Sequence, residues 1–245
     1  MKSSTLSSLS QEEFESIFSK QGAIEVEKME NYSDVEMFEA IISIIQKLVL
    51  MGSKSIAIRE KAREIIKDVP PHDQWGEVKA VLSWVQNNVR YVFDGFNLEQ
   101  FQAPVKTLTD LTGDCDCIAI LLASLLRSIG HQSGVALVNA KGRPDVDHAM
   151  GCVAFRKDIV LRWGVRTGSG KVEALDKKFI DKIPDELKVP LKIIKGSEQL
   201  RNGDTLYNWI MLEGTEKKDA GWIPPKITYA VIILPEIVAR INVKG

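Results

Sequence analysis

The 245-residue chain has few cysteines, few histidines, almost no net charge and no long uninterrupted apolar run. Its three cysteines are too few for a disulfide framework and cluster poorly with its three histidines. We therefore expect reduced thiols in a cytoplasmic setting, with no metal or other cofactor. The net charge of −1 predicts no binding to nucleic acid or to an anionic membrane. The most apolar windows, AIISIIQKLVLMG and TYAVIILPEIVARI, are broken by charges or proline well short of a membrane span, which predicts a soluble protein.

The elements that the sequence does contain run from helices to β-strands. Ser10 and Glu13 form a candidate capping box for a short helix, and the periodic run that follows Ser33 predicts a second helix ending at Gly52. Further helices are predicted at residues 54–67 and from about residue 73 to 90, followed by a loop through residues 97–113. After Gly130 the sequence changes to β-type segments. These segments are SGVALVNA, HAMGCVAF, DIVLRWGV, KVEALD, VPLKIIKG, LYNWIML and ITYAVIILP.

This order of elements predicts an α+β fold with an antiparallel sheet. Three regions are expected along the chain. They are a helical N-terminal region at residues 1–68, a core at residues 69–183 and a β-rich C-terminal extension at residues 184–245.

The run CDCIAILLASLLRSIG, residues 115–130, predicts a helix that is buried on one side and ends at Gly130. At roughly 100° per residue, Cys115 points within about 50° of the centre of the apolar face, and Cys117 points roughly 110° away, beside Ser124 and Ser128. Cys115 is therefore expected to face inward. The free N–H groups of a first helical turn favour a thiolate and can stabilise an oxyanion.

Cys115 is a candidate nucleophile, with a buried structural cysteine as the alternative. The flanking carboxylates of Asp114 and Asp116 would raise the pKa of its thiol unless they cap the helix or point outward. No other feature of the first helical turn decides between the two interpretations. The decision therefore depends on candidate partners elsewhere in the chain.

His148 opens the strand-like run HAMGCVAF and is the candidate base for a thiol, although a single histidine at such a position is more often structural. His72 in a loop and His131 after the helix have ordinary structural explanations. Asp176, at the end of the segment KVEALD, is the favoured candidate to orient the imidazole, and Asp158 is its competitor.

Other chemical signals in the sequence are weaker. GVRTGSGKV has the wrong spacing for a phosphate-binding loop, and a metal site formed by the three cysteines with His148 would have an unusual ligand spacing. Gln100 and Gln102 lie upstream of Cys115 and are candidate second oxyanion donors, or simply surface residues.

Several segments together resemble the transglutaminase-like superfamily of papain-type cysteine enzymes. They are WVQNNVRYVFD, the proline and TL of APVKTL, GDCDCIAILLASLLRSIG, DHA and LD, within about residues 75–180. The similarity is nearest to bacterial and phage-encoded members with GDCDD at the cysteine. The resemblance implies Cys115 as nucleophile, His148 as base and Asp176 as orienting acid, in a fold whose central helix packs on an antiparallel sheet. Cys117 and Met150 depart from the usual residues of the family.

We therefore predict a cysteine acyl-transfer enzyme that acts on a peptide or carboxamide bond of a protein or peptide substrate. Hydrolysis, which we favour, would make it a peptidase or amidase, and transfer to an amine would make it a crosslinking transglutaminase. The alternative is a non-enzymatic structural or interaction module, for example one associated with the virion or assembly proteins of a phage. A redox-responsive pair of Cys115 and Cys117 ranks last, because these positions are poorly placed to form a disulfide.

Overall fold

The structure is a computed structural model. It describes residues 8–27, 34–93, 98–141, 146–156, 165–166, 172–173, 207–227, 229–235 and 237–242. The predicted segment VPLKIIKG and both candidate acids, Asp158 and Asp176, lie outside these residues.

The helices of the N-terminal half begin where the sequence supplies caps. Ser10 and Glu13 form the predicted capping box of α1 (Gln11–Gln21). The side chain of Ser55 caps α3 (Ile56–Ile66), and that of Asp73 caps α4 (Gln74–Asn88). These three helices were all predicted from local sequence, and the structure confirms them.

The prediction that the second helix stops at Gly52 is wrong. Helix α2 (Asp34–Lys54) continues through this residue. A side chain at Gly52 would collide with Ser124 and Pro104, so this glycine permits a close approach between helices and does not terminate one. The predicted loop at residues 97–113 is also wrong. It contains β3 (Leu98–Gln102), α5 (Pro104–Asp110) and β4 (Thr112–Gly113).

A five-stranded antiparallel sheet forms the β-layer. Its strands are β5 (Gln132–Val138), β6 (His148–Arg156), β9 (Tyr207–Leu212), β10 (Tyr229–Leu234) and β11 (Ile237–Asn242), in the order β11-β10-β5-β6-β9. Three of the five strands come from the β-rich region at residues 184–245 and lie on both sides of the β5–β6 pair. The sheet therefore joins this region to the predicted core.

Three short pairs complete the described β-structure. β1 (Ala23–Glu27) pairs with β3 in an antiparallel arrangement, and β2 (Arg90–Tyr91) pairs with β4 in a parallel one. β7 (Val165–Arg166) pairs with β8 (Val172–Glu173). Val165 ends the predicted segment DIVLRWGV, Arg166 lies outside it, and β8 lies within KVEALD.

The cysteine helix α6 (Cys115–Ser128) is the centre of the fold. It packs on β5 and β6 on one side and contacts α2, α3, α4 and α5 on its other sides. The prediction of burial on one side only is therefore wrong, because every residue from Asp116 to Leu126 is buried. The fold is α+β, as predicted from the order of its elements.

Among the described residues, no single helix is both long and apolar enough to cross a membrane. Two helical segments that meet at an angle of 69°, Phe38–Lys54 and Ile56–Ile66, reach that length and composition only when taken together.

Candidate functional site

The first turn of α6 is held by its own acidic residues. The backbone N–H of Cys117 donates to Asp114 Oδ1 at 3.1 Å and to Asp116 Oδ1 at 2.8 Å. Asp114 is the N-cap residue, so its carboxylate satisfies a helical N–H group that has no partner within the helix. Capping was one of the two arrangements of Asp114 and Asp116 that the sequence left open.

The three thiols have different environments. Cys117 is 1% exposed and its Sγ donates to the carbonyl oxygen of Gln100 at 3.3 Å, whereas the prediction placed it away from the core. Burial raises the pKa of the Cys117 thiol well above its ordinary value, and the Asp116 and Asp114 carboxylates raise it further. Burial also raises the pKa of Cys152, which lies in the interior of β6. Cys115 is the only cysteine that is partly exposed.

The sequence placed Cys115 toward the core and Cys117 away from it. The structure shows the opposite order, with Cys117 buried and Cys115 partly exposed. Cys115 packs at the margin of the apolar cluster that contains Ala119 and Ile120, while Cys117 lies within the core. The physical reason is the position of α2 and α5, which cover the side of α6 that the sequence pattern left to solvent.

His148 has a carboxylate partner that the sequence analysis missed. Its Nε2 lies 2.8 Å from Oε2 of Glu213, a residue that is 2% exposed and follows the last residue of β9. β6 and β9 are antiparallel, so the end of β9 lies beside the start of β6. The sheet therefore brings together two residues that are 65 positions apart in the chain.

Three further hydrogen bonds fix the Glu213 carboxylate and its backbone. Its Oε1 accepts from the Thr215 backbone N–H at 2.8 Å and from Thr215 Oγ1 at 2.6 Å. Gln86 of α4 donates through Nε2 to the Glu213 carbonyl oxygen at 2.7 Å and to the Lys218 carbonyl oxygen at 2.8 Å. Each carboxylate oxygen thus has a different partner, and the turn that carries Glu213 is tied to α4.

Glu213 is ionised at neutral pH. Burial raises its pKa, but the hydrogen bond and charge of His148 and the two hydrogen bonds from Thr215 together leave the pKa below its ordinary value. A carboxylate can only accept hydrogen bonds, so His148 Nε2 must be the donor. The other ring nitrogen, Nδ1, is then the one able to accept a proton from a thiol.

Two glycine contacts place Cys115 and His148 at the same end of the fold. A side chain at Gly151 of β6 would collide with Leu122 of α6, and a Cβ at Gly214 would lie 2.6 Å from Ile118 Cγ2. Gly151 pairs with Leu212, so continuing the antiparallel register places Gly214 opposite Ala149, two residues nearer the start of β6. Moving back one turn of α6 therefore corresponds to moving back two residues of β6. Cys115 lies three residues before Ile118, about 4.5 Å along the helix, which brings it to the level of His148.

Gly151 faces α6, and Glu213 meets the His148 ring from the neighbouring strand β9. His148 is the first residue of β6, so its ring lies at the open end of the sheet, where its side chain is 19% exposed. This end of the sheet is also where α6 begins.

The remaining polar candidates have defined partners. His131 Nε2 lies 2.8 Å from Glu77 Oε2 of α4, and Gln102 accepts from Thr107 Oγ1 at 3.2 Å and donates to Gln100 Oε1 at 3.1 Å. Gln100 and Gln102 belong to β3, which contacts the cysteine helix.

Asp114, Asp116 and Cys117 place one donor atom each within 4.8 Å of one another, the one such group able to hold a metal within the described ranges. Both carboxylates accept from the Cys117 N–H, so helix capping accounts for the group.

The sequence signal for Glu213 was weak but present. In LYNWIMLEG an acidic residue directly follows an apolar strand, as Asp176 does in KVEALD. Both segments satisfy the same local pattern, and only strand pairing shows that β9 neighbours the strand of His148.

Comparison with known proteins gives one match. Residues 59–163 match the family model of the Transglutaminase-like superfamily, a segment that includes Cys115 and His148 and ends before Asp176 and Glu213. No curated protein matches the chain, and no solved structure does. The match supports a cysteine enzyme at the level of the superfamily and a transglutaminase-like domain within the α+β fold.

Proposed function

We propose that the protein is a cysteine acyl-transfer enzyme that hydrolyses a peptide or carboxamide bond of a protein or peptide substrate. Cys115 is the nucleophile, His148 the base and Glu213 the residue that orients the imidazole. One observation carries the proposal. The His148–Glu213 hydrogen bond lies at the end of the sheet where the partly exposed Cys115 begins α6.

The chemistry follows from these three groups. His148 Nδ1 takes the thiol proton, and the Cys115 sulfur adds to the carbonyl carbon of the substrate. As the tetrahedral intermediate collapses, the C–N bond breaks and the imidazolium gives its proton to the leaving amine. Water then attacks the thioester, releasing the acid and restoring the thiol. Glu213 keeps its charge throughout and stabilises the imidazolium.

The start of α6 supports the same mechanism. A negative oxygen forms twice in the cycle, and the start of a helix offers both unpaired donors and a positive dipole end. Asp114 and Asp116 occupy the Cys117 N–H, so that donor does not serve an oxyanion.

Glu213 takes the role that the sequence analysis gave to Asp176. The support is its direct contact with His148 and its burial, and the two assignments can be separated experimentally. Glu213→Gln should impair Cys115 reactivity, whereas Asp176→Asn should leave it unchanged. The reverse result would restore Asp176 as the orienting acid.

The first experiment measures the alkylation rate of each cysteine by iodoacetamide as a function of pH, with peptide mass spectrometry as the readout. We expect Cys115 to react with a midpoint well below the ordinary thiol value of about 8.5. His148→Ala should return that midpoint to about 8.5. Cys117 and Cys152 serve as internal references, because both are buried and should not react in the folded protein.

Two results would contradict the proposal. One is a Cys115 midpoint near 8.5 in the unmodified protein. The other is a low midpoint that does not change in His148→Ala. Either would favour the non-enzymatic structural or interaction module.

Turnover is tested separately with casein and with glutamine-containing peptides, followed by the release of new amino termini and of ammonia. Cys115→Ala should abolish both signals while leaving the folded structure intact. The addition of a primary amine then distinguishes hydrolysis from amine transfer, since a transferase would form the amine adduct in place of the acid.

A further inference from the structure

Exposed apolar side chains are concentrated next to the start of the cysteine helix. Four large apolar residues are exposed among the described residues: Ile56, Val92, Phe93 and Leu111. Three of these four, Val92, Phe93 and Leu111, lie within two residues of the β2–β4 pair, whose last residue is followed by Asp114 and Cys115. Phe93 is 81% exposed, so it contributes little to the stability of the fold.

The β2–β4 pair holds Phe93 near the start of α6. Arg90 pairs with Thr112 and Tyr91 with Gly113, and the Val92 N–H donates to the Gly113 carbonyl oxygen at 2.9 Å. Phe93 is therefore one residue beyond a backbone contact with Gly113, and Gly113 precedes Cys115 by two residues. Phe93 thus lies close to the segment that enters α6.

Phe93 is also anchored. Its ring meets that of Tyr91 edge to face, with centroids 4.9 Å apart and planes at 83°. Tyr91 in turn packs against the main apolar cluster. Such an arrangement holds one ring in place by its contact with the other and leaves most of its surface open to a further apolar group.

We propose that Tyr91 and Phe93 form a subsite for an apolar, preferably aromatic, side chain next to the scissile carbonyl of the acyl donor. The inference rests on the proposed function, because the occupant is the substrate of Cys115. One peptide residue spans about 3.5 Å, so a donor whose carbonyl lies over Cys115 and whose chain runs toward β2 brings an adjacent side chain toward Phe93. Recognition then comes from burial of the exposed ring face against that side chain.

The test compares two chloromethyl ketones that differ in one side chain, derived from N-acetyl-phenylalanine and from N-acetyl-alanine. In both, the Cys115 thiolate displaces chloride and forms a thioether. The labelling rate of Cys115 is measured by mass spectrometry for each reagent. Iodoacetamide, which carries no side chain, reports thiol reactivity alone.

In the unmodified protein the phenylalanine reagent should label Cys115 on the order of tenfold faster than the alanine reagent, as expected for partial burial of one ring. Phe93→Ala should bring the ratio close to one without changing the iodoacetamide rate. Phe93→Tyr should preserve the ratio. The matched control is Ile56→Ala, which removes a similarly exposed apolar side chain at the start of α3 and should change neither rate.

The outcomes separate the subsite from the proposed function. If iodoacetamide shows an activated Cys115 but the reagents react equally, or their ratio survives in Phe93→Ala, the subsite is refuted and the proposed function stands. If iodoacetamide finds Cys115 no more reactive than an ordinary thiol, the proposed function fails and the subsite fails with it.

Discussion

Glu213→Gln is the sharpest perturbation of the site, because it changes one atom of a buried carboxylate and almost none of its volume. Glu213 Oε1 accepts from both the N–H and the hydroxyl of Thr215, and Oε2 accepts from His148 Nε2. A glutamine has only one oxygen to offer. The two Thr215 donors should claim it, because the backbone N–H cannot turn away.

The amide NH2 of the glutamine would then face His148. Nε2 could form a hydrogen bond to it only as an acceptor, which moves the ring proton to Nδ1. An imidazole with a proton on Nδ1 cannot accept the proton of Cys115. The substitution should therefore uncouple the thiol from its base while leaving every side chain close to its original position.

The expected magnitude follows from thiol ionisation. At pH 6 an uncoupled thiol with a pKa of about 8.5 is only about 0.3% ionised. A more basic thiolate is the stronger nucleophile, which offsets part of this loss. We expect alkylation of Cys115 at pH 6 to slow by at least about tenfold and its pH midpoint to rise toward about 8.5.

Stability gives a second readout of the same variant. Replacing a charged hydrogen-bond acceptor in this buried position should lower the free energy of unfolding by about 1–3 kcal/mol at pH 7. Since the pKa of Glu213 is lowered in the folded state, the contribution of its carboxylate is complete above the ordinary value and is lost as pH falls through the folded value. The free energies of unfolding of the unmodified protein and of Glu213→Gln, measured by urea denaturation, should thus become more similar at acidic pH.

The matched control is Glu216→Gln, the same chemical change three residues away on an exposed side chain whose ion pair with Lys218 is solvated. It should alter neither the Cys115 midpoint nor the stability by a measurable amount. If Glu213→Gln and Glu216→Gln both leave the Cys115 midpoint where it is in the unmodified protein, Glu213 does not orient His148.

Three further outcomes test other contacts. Thr215→Val removes the hydroxyl donor to Glu213 but keeps the backbone donor. It should lower the free energy of unfolding by about 1 kcal/mol in urea denaturation and raise the pH midpoint of Cys115 alkylation less than Glu213→Gln does. A rise in that midpoint as large as the one in Glu213→Gln would contradict this prediction. Burial lowers the pKa of His131 although Glu77 opposes this, so the unfolded chain binds a proton more readily and the free energy of unfolding should fall as pH drops below about 6.5. In urea denaturation at pH 7 and pH 5, His131→Gln should lack this part of the fall in the free energy of unfolding. If His131→Gln loses as much stability between the two pH values as the unmodified protein, the prediction is refuted. Gly151→Val drives a side chain into Leu122 and should cost about 1–3 kcal/mol in urea denaturation, whereas an unchanged midpoint would mean that α6 does not pack closely on β6.

Local patterns in the sequence were sufficient for most of the individual elements. Several local features involve residues only a few positions apart, so they can be recognised from the sequence alone. They are the capping box of Ser10 and Glu13, the cap at Asp73 and the alternation in HAMGCVAF. The same holds for Cys115 at the start of a helix and His148 at the start of a strand. These features predicted the α+β class and two of the proposed site residues.

Tertiary structure decided what covers each element and which distant residues meet. Gly52 has the local appearance of a helix end, but a neighbouring helix gives it a packing role. Cys117 has the spacing of an outward residue, yet it is buried because helices cover α6 on the sides that the sheet does not. Glu213 reaches His148 only because β9 pairs with β6 across a long stretch of chain. Strand pairing and helix packing depend on contacts between segments that are remote in the chain, and a local sequence pattern does not specify those contacts.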